Sequence, residues 1–161
     1  MKKLKIYLDT SAIGYLDEQT SPKEMDEMKA LWEDIKRGKY EVYLSQITLE
    51  EIYANQNKDK VKVLTNYLSE IEYAIIEIND EIRNIADLVR KNELLIADRE
   101  RNDRLHIGAA VVYGCNLLVS LNFKHLVNVK TVKGVRSIAV LGGYESVDIV
   151  PPIMLLSEGD E

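Results

Sequence analysis

The chain has 161 residues, of which 46% are hydrophobic and 30% are charged. This balance predicts a single soluble globular domain with a sizeable core. The sequence has no apolar stretch long enough for a membrane span, and its single cysteine, Cys115, excludes an internal disulfide. Both observations favour a cytoplasmic protein. The formal net charge of −6 excludes a surface that binds nucleic acid all over, although local basic groups can still contact phosphates.

Short apolar runs alternate with amphipathic segments along the whole chain. The secondary structure of residues 131–141 is ambiguous from this pattern, and a helix is slightly favoured. The alternation predicts a layered α/β domain with a mostly parallel sheet. In chain order, the pattern predicts a strand at 5–8, helices at 10–16 and 21–37, a strand at 40–45, a helix after Thr48, a helix at 57–69, a strand at 74–78, helices after Asn79 and at 103–114, a strand at 116–121, a short helix at 123–128 and a strand at 147–150.

Capping residues support several of these helix starts. Ser21 and Glu24 form a capping-box pattern on either side of Pro22, and Gly38 suits the end of the same helix. Thr48 is expected to cap the helix that follows the second strand. These signals strengthen the prediction that helices and strands alternate.

Four polar residues stand at the ends of the predicted elements. Asp9 ends the first strand, Glu51 follows the second apolar run, Asp103 opens a helix and Asn122 follows a later strand. Because the carboxyl ends of parallel strands lie at one edge of a sheet, we expect these residues to converge on one acidic pocket. Hard oxygen ligands without thiolate or paired histidine suit Mg²⁺ or Mn²⁺.

Five segments, in this order, resemble motifs of the PIN-domain family of metal-dependent ribonucleases, and the resemblance covers nearly the whole chain. The third is similar to a segment of VapC-type toxins, and the fourth and fifth to a subgroup with an Asn-Phe-Lys-His-Leu segment. The segments are YLDTSA at 7–12, SQITLEEI at 45–52, DRLHIGAA at 103–110, LVSLNFKHL at 118–126 and GYESVDIVPP at 143–152.

The resemblance implies a three-layer α/β/α fold with a mostly parallel central sheet. It implies one PIN-like domain at residues 1–156, and we expect residues 157–161 to form a flexible tail. In function it implies a Mg²⁺- or Mn²⁺-dependent endoribonuclease that cleaves RNA, acting as the toxin of a type II toxin–antitoxin pair. The implied partners are RNA, a small antitoxin protein and a second copy of the chain, with no membrane involved.

The resemblance also assigns the four polar residues. Asp9, Glu51 and Asp103 are expected to bind the metal, and together with Asn122 they form the predicted catalytic set. Many relatives carry aspartate where this chain has Asn122. Because an amide adds no negative charge, we expect one firmly held metal ion rather than two.

Each predicted ligand has a structural alternative. Asp9 can cap the helix that starts after it, and Asp103 can be an acid that favours the start of a helix. Glu50 competes with Glu51, which is preferred because an apolar residue follows it. Asp98 lies in the same acidic loop as Asp103 and is its nearest competitor.

Supporting residues are predicted around the ligands. Ser11 is expected to orient Asp9 or a bound water, and an ordinary turn hydroxyl is the alternative. His106 lies three residues after Asp103 and is expected to support the ligands rather than bind metal. Of the basic residues, we select Arg104 and Lys124 as substrate contacts. The wider set that can form a phosphate-binding rim, or can simply be solvated, is Arg99, Arg101, Arg104, Lys124 and Lys130.

Two questions stay open at the level of sequence. The first is whether Asn122 leaves a catalytically weakened PIN-like module that binds RNA or protein instead of cleaving RNA. The second is whether Met25, Met28 and Trp32, which recur at helical spacing, face a partner subunit or the core.

Overall fold

The computed structural model describes residues 2–156, where five strands alternate with seven α-helices and three short 3-10 turns. The strands are β1 (Leu4–Leu8), β2 (Tyr40–Ser45), β3 (Ala74–Ile76), β4 (Leu117–Val119) and β5 (Asp148–Val150). The helices are α1 (Thr10–Gly14), α2 (Pro22–Lys36), α3 (Gln46–Tyr53), α4 (Lys58–Leu68), α5 (Asp80–Lys91), α6 (Arg101–Val112) and α7 (Val129–Leu141). The 3-10 turns are Tyr15–Asp17, Asp98–Glu100 and Pro152–Leu155.

The predicted tail at 157–161 lies outside the described residues. Across residues 2–156, none of the helices combines the length and the apolar character that a bilayer crossing requires.

All five strands are parallel, in the order β3-β2-β1-β4-β5. The chain begins in the middle with β1, adds β2 and β3 on one side, and then returns to add β4 and β5 on the other. The order therefore reverses between β1 and β4. In open α/β sheets this reversal opens a crevice at the carboxyl ends of the strands, where ligands bind.

Helices cover both faces of the sheet, because successive side chains along each buried strand point to opposite sides. Ile6 and Leu8 pack with α1, α2 and α4, whereas Tyr7 packs with α5, α6 and α7. In β4, Leu118 and Val119 divide between the same two cores. The predicted three-layer α/β/α fold with a parallel central sheet is confirmed.

Of the two predicted caps, Ser21 occupies the capping position of α2 without the expected hydrogen bond, and the prediction for Thr48 is wrong. Ser21 precedes α2, but its side chain makes no capping hydrogen bond, and its ψ of 67° departs from the extended geometry that capping usually requires. The cap of α3 is Ser45, whose hydroxyl accepts from the amide of Ile47 at 3.2 Å. Thr48 is instead the third residue of α3, and its hydroxyl accepts from the amide of Ser45 at 3.3 Å.

Several predicted boundaries also change. Residues 123–128 form turns and bends instead of a helix. The amides of Leu126 and Val127 both donate to the carbonyl of Asn122, and the amide of Asn128 donates to that of Leu126, so the helical hydrogen-bond ladder does not continue. The ambiguous segment at 131–141 is helical, and α7 is capped by Asn128. Helix α6 begins at Arg101, so Asp103 lies within its first turn. The observed β3 and β4 are both shorter than predicted.

The methionine and tryptophan stripe of α2 faces the core. Met28 and Trp32 are almost fully buried, and only Met25 keeps partial exposure. Their spacing is therefore explained by packing, and these residues do not offer the exposed dimer surface that the sequence left open.

Gly108 allows α5 and α6 to pack closely, and we expect Gly108→Ala to destabilise the protein. A Cβ at this position would lie 2.6 Å from the carbonyl oxygen of Ile82, so the helices would have to separate. Such overpacking costs about 1–3 kcal/mol, against a gain of about 1 kcal/mol in helix propensity. Urea denaturation measures the change. Gly14→Ala is the control, because nothing lies within 4 Å of its added Cβ; equal stability of the two variants would contradict the explanation.

Candidate functional site

Asp9 lies at the point where the strand order reverses. It follows β1 directly, its amide donates to the carbonyl of Val119 in β4 at 3.3 Å, and it is only 3% exposed. Its Oδ1 accepts from the Ser11 hydroxyl at 2.7 Å and from the Ala12 amide at 2.9 Å. Asp9 therefore caps α1, as its structural alternative predicts, while its carboxylate stays at the edge of the sheet.

Ser11 connects the ends of β1 and β4. Besides donating to Asp9, its hydroxyl accepts from the amide of Leu121 at 2.9 Å and lies 3.3 Å from the hydroxyl of Ser120. Burial raises the pKa of Asp9 above its usual value, and the nearby His106 and the Ser120 and Ser11 hydrogen bonds oppose this rise. The carboxylate is thus buried but well supplied with donors.

Glu51 faces the same region from α3. Its Oε1 accepts from the Thr10 hydroxyl at 2.6 Å and lies 2.8 Å from Nε2 of His106. Asn102 also hydrogen-bonds this carboxylate. Burial acts to raise the pKa of Glu51, but the His106 and Thr10 hydrogen bonds outweigh it and hold the pKa below its usual value. Its competitor Glu50 is exposed and accepts from Gln46 instead.

A buried polar chain runs from Glu51 into the core. Nδ1 of His106 lies 2.5 Å from the hydroxyl of Tyr7, which donates to the hydroxyl of Ser45 at 2.8 Å. The His106 and Tyr7 rings also meet edge to face, with centroids 5.6 Å apart. Both side chains are almost completely buried. Fixed at both ring nitrogens, His106 holds Glu51 in one orientation.

Asp103 and Asn122 complete the region. The Asn122 amide group donates to Oδ2 of Asp103 at 3.4 Å. Burial raises the pKa of Asp103 to about 6; the charges of Asp9 and Glu51 add to this rise, and His106 opposes it. The electrostatic coupling places the three predicted acidic ligands in one neighbourhood. Asp98, the competitor of Asp103, is exposed.

The donor chemistry fits a hard divalent cation. Among residues 2–156, the buried Asp9 and the partly buried Asp103 form no ion pair with a lysine or arginine. The same part of the chain contains no group of three His, Cys, Asp or Glu side chains already arranged to hold a metal. Carboxylates without a cation repel one another. Here Asp9 and Glu51 turn instead to their hydrogen-bond donors.

The two predicted substrate contacts, Arg104 and Lys124, differ in their exposure. Arg104 is only 7% exposed, and its guanidinium donates to the carbonyls of Leu95 and, at 2.9 Å, Ala97. These carbonyls belong to the loop before α6, so Arg104 anchors that loop, and its placement does not favour a phosphate contact. Lys124 is exposed, two residues after Asn122.

Four residues of the site were not selected from the sequence. Thr10 and Asn102 hold Glu51, Ser120 supports Asp9, and Tyr7 anchors His106. Tyr7 had a usable signal: a buried strand carrying a phenol needs a partner for its hydroxyl. The others become visible only when the strand ends and α6 come together.

We expect Mg²⁺ affinity to fall below pH of about 6, because the cation must then displace a proton from Asp103. One displaced proton lowers the affinity about tenfold per pH unit. Without metal, the raised pKa means that the folded state binds this proton more tightly than the unfolded chain. This group therefore disfavours the fold above pH of about 6, and the penalty is relieved as pH falls toward 3.8.

Calorimetric titration of Mg²⁺ across this pH range checks the prediction. Asp103→Asn is the matched variant, in which the step near pH 6 should disappear. An affinity that does not change with pH in the unaltered protein would contradict the assignment of Asp103 as a ligand.

The layered fold and the acidic end of its sheet define a class of α/β proteins with a site at the strand reversal. The sequence pattern of the PIN domain matches residues 6–129, which is most of the chain. The chain therefore belongs to the PIN domain family. The comparison with curated protein sequences found no match.

Solved structures support the same fold. The chain is similar to VapBC2 from Rickettsia felis, solved with a promoter DNA fragment, at 17% identity and a TM-score of 0.57, covering 91% of this chain and 99% of that one. It is similar to FitAcB from Neisseria gonorrhoeae at 18% identity and a TM-score of 0.58, covering 92% and 98%. For a toxin–antitoxin complex from Klebsiella pneumoniae the values are 15%, 0.55, 91% and 97%. At these identities the likeness concerns the fold.

Proposed function

We propose that this protein is an endoribonuclease that depends on Mg²⁺ or Mn²⁺. One observation carries the proposal: the buried Asp9 and the partly buried Asp103 form no ion pair with a lysine or arginine within the described residues and stand at the carboxyl edge of the sheet. Membership of the PIN domain family supports nucleic acid as the substrate class. The structural alternatives, helix capping and helix-dipole stabilisation, do not require two carboxylates to lie close together without a lysine or arginine partner.

Asp9, Asp103 and Glu51 are the residues that would hold the cation. When bound, the cation lowers the pKa of a water molecule and neutralises charge that develops on the scissile phosphate. Ser11 donates to Asp9 and so orients its carboxylate, while Thr10 and His106 do the same for Glu51. These contacts hold the carboxylates in fixed orientations, ready to bind the cation.

Asn122 limits the negative charge of the site. Its side-chain oxygen accepts from the amide of His125 at 3.1 Å, which leaves its amide group to face Asp103. An aspartate here would place a further carboxylate against Asp103. We therefore propose one firmly bound ion, with Asn122 positioning Asp103 rather than adding a charged ligand.

The test is cleavage of a mixed pool of structured RNA. We expect cutting with Mg²⁺ or Mn²⁺, none after treatment with EDTA, and recovery when the metal is restored. Cleavage that persists in EDTA would contradict metal dependence, and the absence of cleavage with either metal would contradict the nuclease assignment.

We also propose the partners that the similar solved structures suggest. Their names describe VapBC and toxin–antitoxin complexes, and by analogy this chain would be a toxin that forms a homodimer and binds a small antitoxin. Lys124, exposed beside the site, remains the proposed substrate contact. The mass of the purified protein in solution tests the homodimer. Its mass after mixing with the protein encoded by a neighbouring gene tests the antitoxin.

A second function has a specific observation in its favour. Within residues 2–156, no group of three His, Cys, Asp or Glu side chains is arranged to hold a metal ion, and Asn122 is an uncharged amide where the sequence resemblance leads us to expect aspartate. A PIN-like module that binds RNA or protein without cleaving it is consistent with both facts. Measurable Mg²⁺ binding together with RNA cleavage would reject this alternative.

A further inference from the structure

A groove between α5 and α6 is lined by four arginines. Arg83 and Arg90 reach it from α5, and Arg101 and Arg104 from α6. Its volume is about 340 Å³. This size is at the lower end of the range for small-ligand pockets.

The groove is positively charged on an acidic protein. Its four guanidinium groups face two carboxylates, Asp87 and Asp98, whereas the whole chain carries a formal charge of −6. Asp87 is already paired with Lys91 at 2.9 Å, and Arg83 with Asp80 at 2.8 Å. This local excess of positive charge attracts anions although the net charge of the whole chain is negative.

The arginines differ in their availability. Arg90 and Arg101 are exposed and form no ion pair within residues 2–156. Arg104 is buried and fixed to the loop carbonyls, so it contributes a stationary charge to the wall. Free guanidinium groups bind phosphate oxygens with two parallel hydrogen bonds, which suits a phosphodiester better than a single point charge does.

The groove adjoins the acidic site through the first turn of α6. Arg101 lines the groove, the next residue, Asn102, contacts Glu51, and Asp103 faces Asp9 and Asn122. The two places are thus separated by about one helix diameter, roughly 10–12 Å with side chains. A strand that crosses this turn reaches both.

We propose that the α5–α6 groove binds backbone phosphates of single-stranded RNA next to the bond that the acidic site cleaves. The identity of the ligand as RNA rests on the proposed function. Phosphate contacts carry no sequence information, so the groove sets the position and affinity of the strand rather than the choice of base.

The test measures binding separately from cleavage. A fluorescein-labelled oligouridylate is titrated with protein in EDTA, and fluorescence anisotropy gives the affinity at several salt concentrations. The groove variant is Arg90→Gln with Arg101→Gln. The matched control is Lys23→Gln with Lys62→Gln, which removes two exposed positive charges outside the groove.

Loss of two phosphate contacts should make the slope of log affinity against log salt shallower by about 1.4, because each contact with a single strand contributes about 0.7. The control should keep the slope of the unaltered protein. Unchanged binding by the groove variant, an equal loss in the control, or no binding of the oligouridylate by the unaltered protein overturns the inference.

The outcomes for the groove and for the nuclease can be distinguished. RNA binding through the groove without metal-dependent cleavage supports the inference and contradicts the proposed activity. Cleavage by the unaltered protein with full binding by the groove variant leaves the activity intact and overturns the inference.

Discussion

Replacing Asp9 with asparagine is expected to lower the rate of metal-dependent RNA cleavage about 10³-fold or more. A catalytic cation supplies several kcal/mol of transition-state stabilisation, and about 1.4 kcal/mol corresponds to a factor of ten in rate. Asparagine caps helices as well as aspartate does, so the bond from the Ala12 amide can persist and α1 should remain capped. The loss would then come from the missing charge.

Single-turnover cleavage of the structured RNA pool measures this effect. Glu50→Gln is the control, because Glu50 is an exposed acid directly beside Glu51 and should not alter the rate. If Asp9→Asn cleaves within a few fold of the unaltered protein, Asp9 does not hold a catalytic metal.

The second large effect is expected for His106→Ala, through Glu51. Groups that orient metal ligands typically contribute 10–100-fold to metal affinity, so we expect a loss of about this size for Mn²⁺. The Tyr7 hydroxyl would also lose one hydrogen-bond partner but keep the Ser45 hydroxyl, and one hydrogen bond contributes about 0.5–1.5 kcal/mol of stability.

Tyr7→Phe separates the two effects. It removes the phenol hydroxyl but keeps the contact between His106 and Glu51, so stability should fall while most of the Mn²⁺ affinity is retained. Calorimetry gives the affinity and urea denaturation the stability. A folded His106→Ala protein that binds Mn²⁺ as tightly as the unaltered chain would show that His106 only fills the core.

Much of the fold follows from local patterns. The apolar side chains at residues 5–8 and 40–45 cluster or alternate as they do in buried strands. The observed bounds of β1 and β2 agree with these predicted ranges to within one residue. Errors arise where local hydrogen bonds decide a boundary. Ser45 caps α3 and Thr48 bonds back to the Ser45 amide, and after Asn122 the amides of Leu126 and Val127 share one carbonyl instead of continuing a helix.

The acidic residues of the candidate site could be selected from the sequence because they follow buried strands or begin a helix, and their role as metal ligands stays a prediction. Their supporting residues could not be selected in this way, since Thr10, Asn102 and Tyr7 meet Glu51 and His106 only through the tertiary fold.

Arg104 shows how a sequence neighbour of the site can be drawn away from it. The loop before α6 contains Leu95 with a φ of 52°, and its turned-in carbonyls need donors. The guanidinium of Arg104 satisfies those of Leu95 and Ala97, and it is buried in doing so. The charge of Arg104 and its position along the chain do not reveal this role, because the carbonyls that need a donor belong to another segment of the backbone.

The most direct test of the metal site is anomalous scattering from crystals soaked in Mn²⁺. We predict one strong peak within bonding distance of the Asp9 and Asp103 carboxylates, with Glu51 bound directly or through water. Two strong peaks would contradict the role given to Asn122. The absence of any peak at this edge of the sheet, with Mn²⁺ bound elsewhere or not at all, would contradict the account of the site as a metal centre.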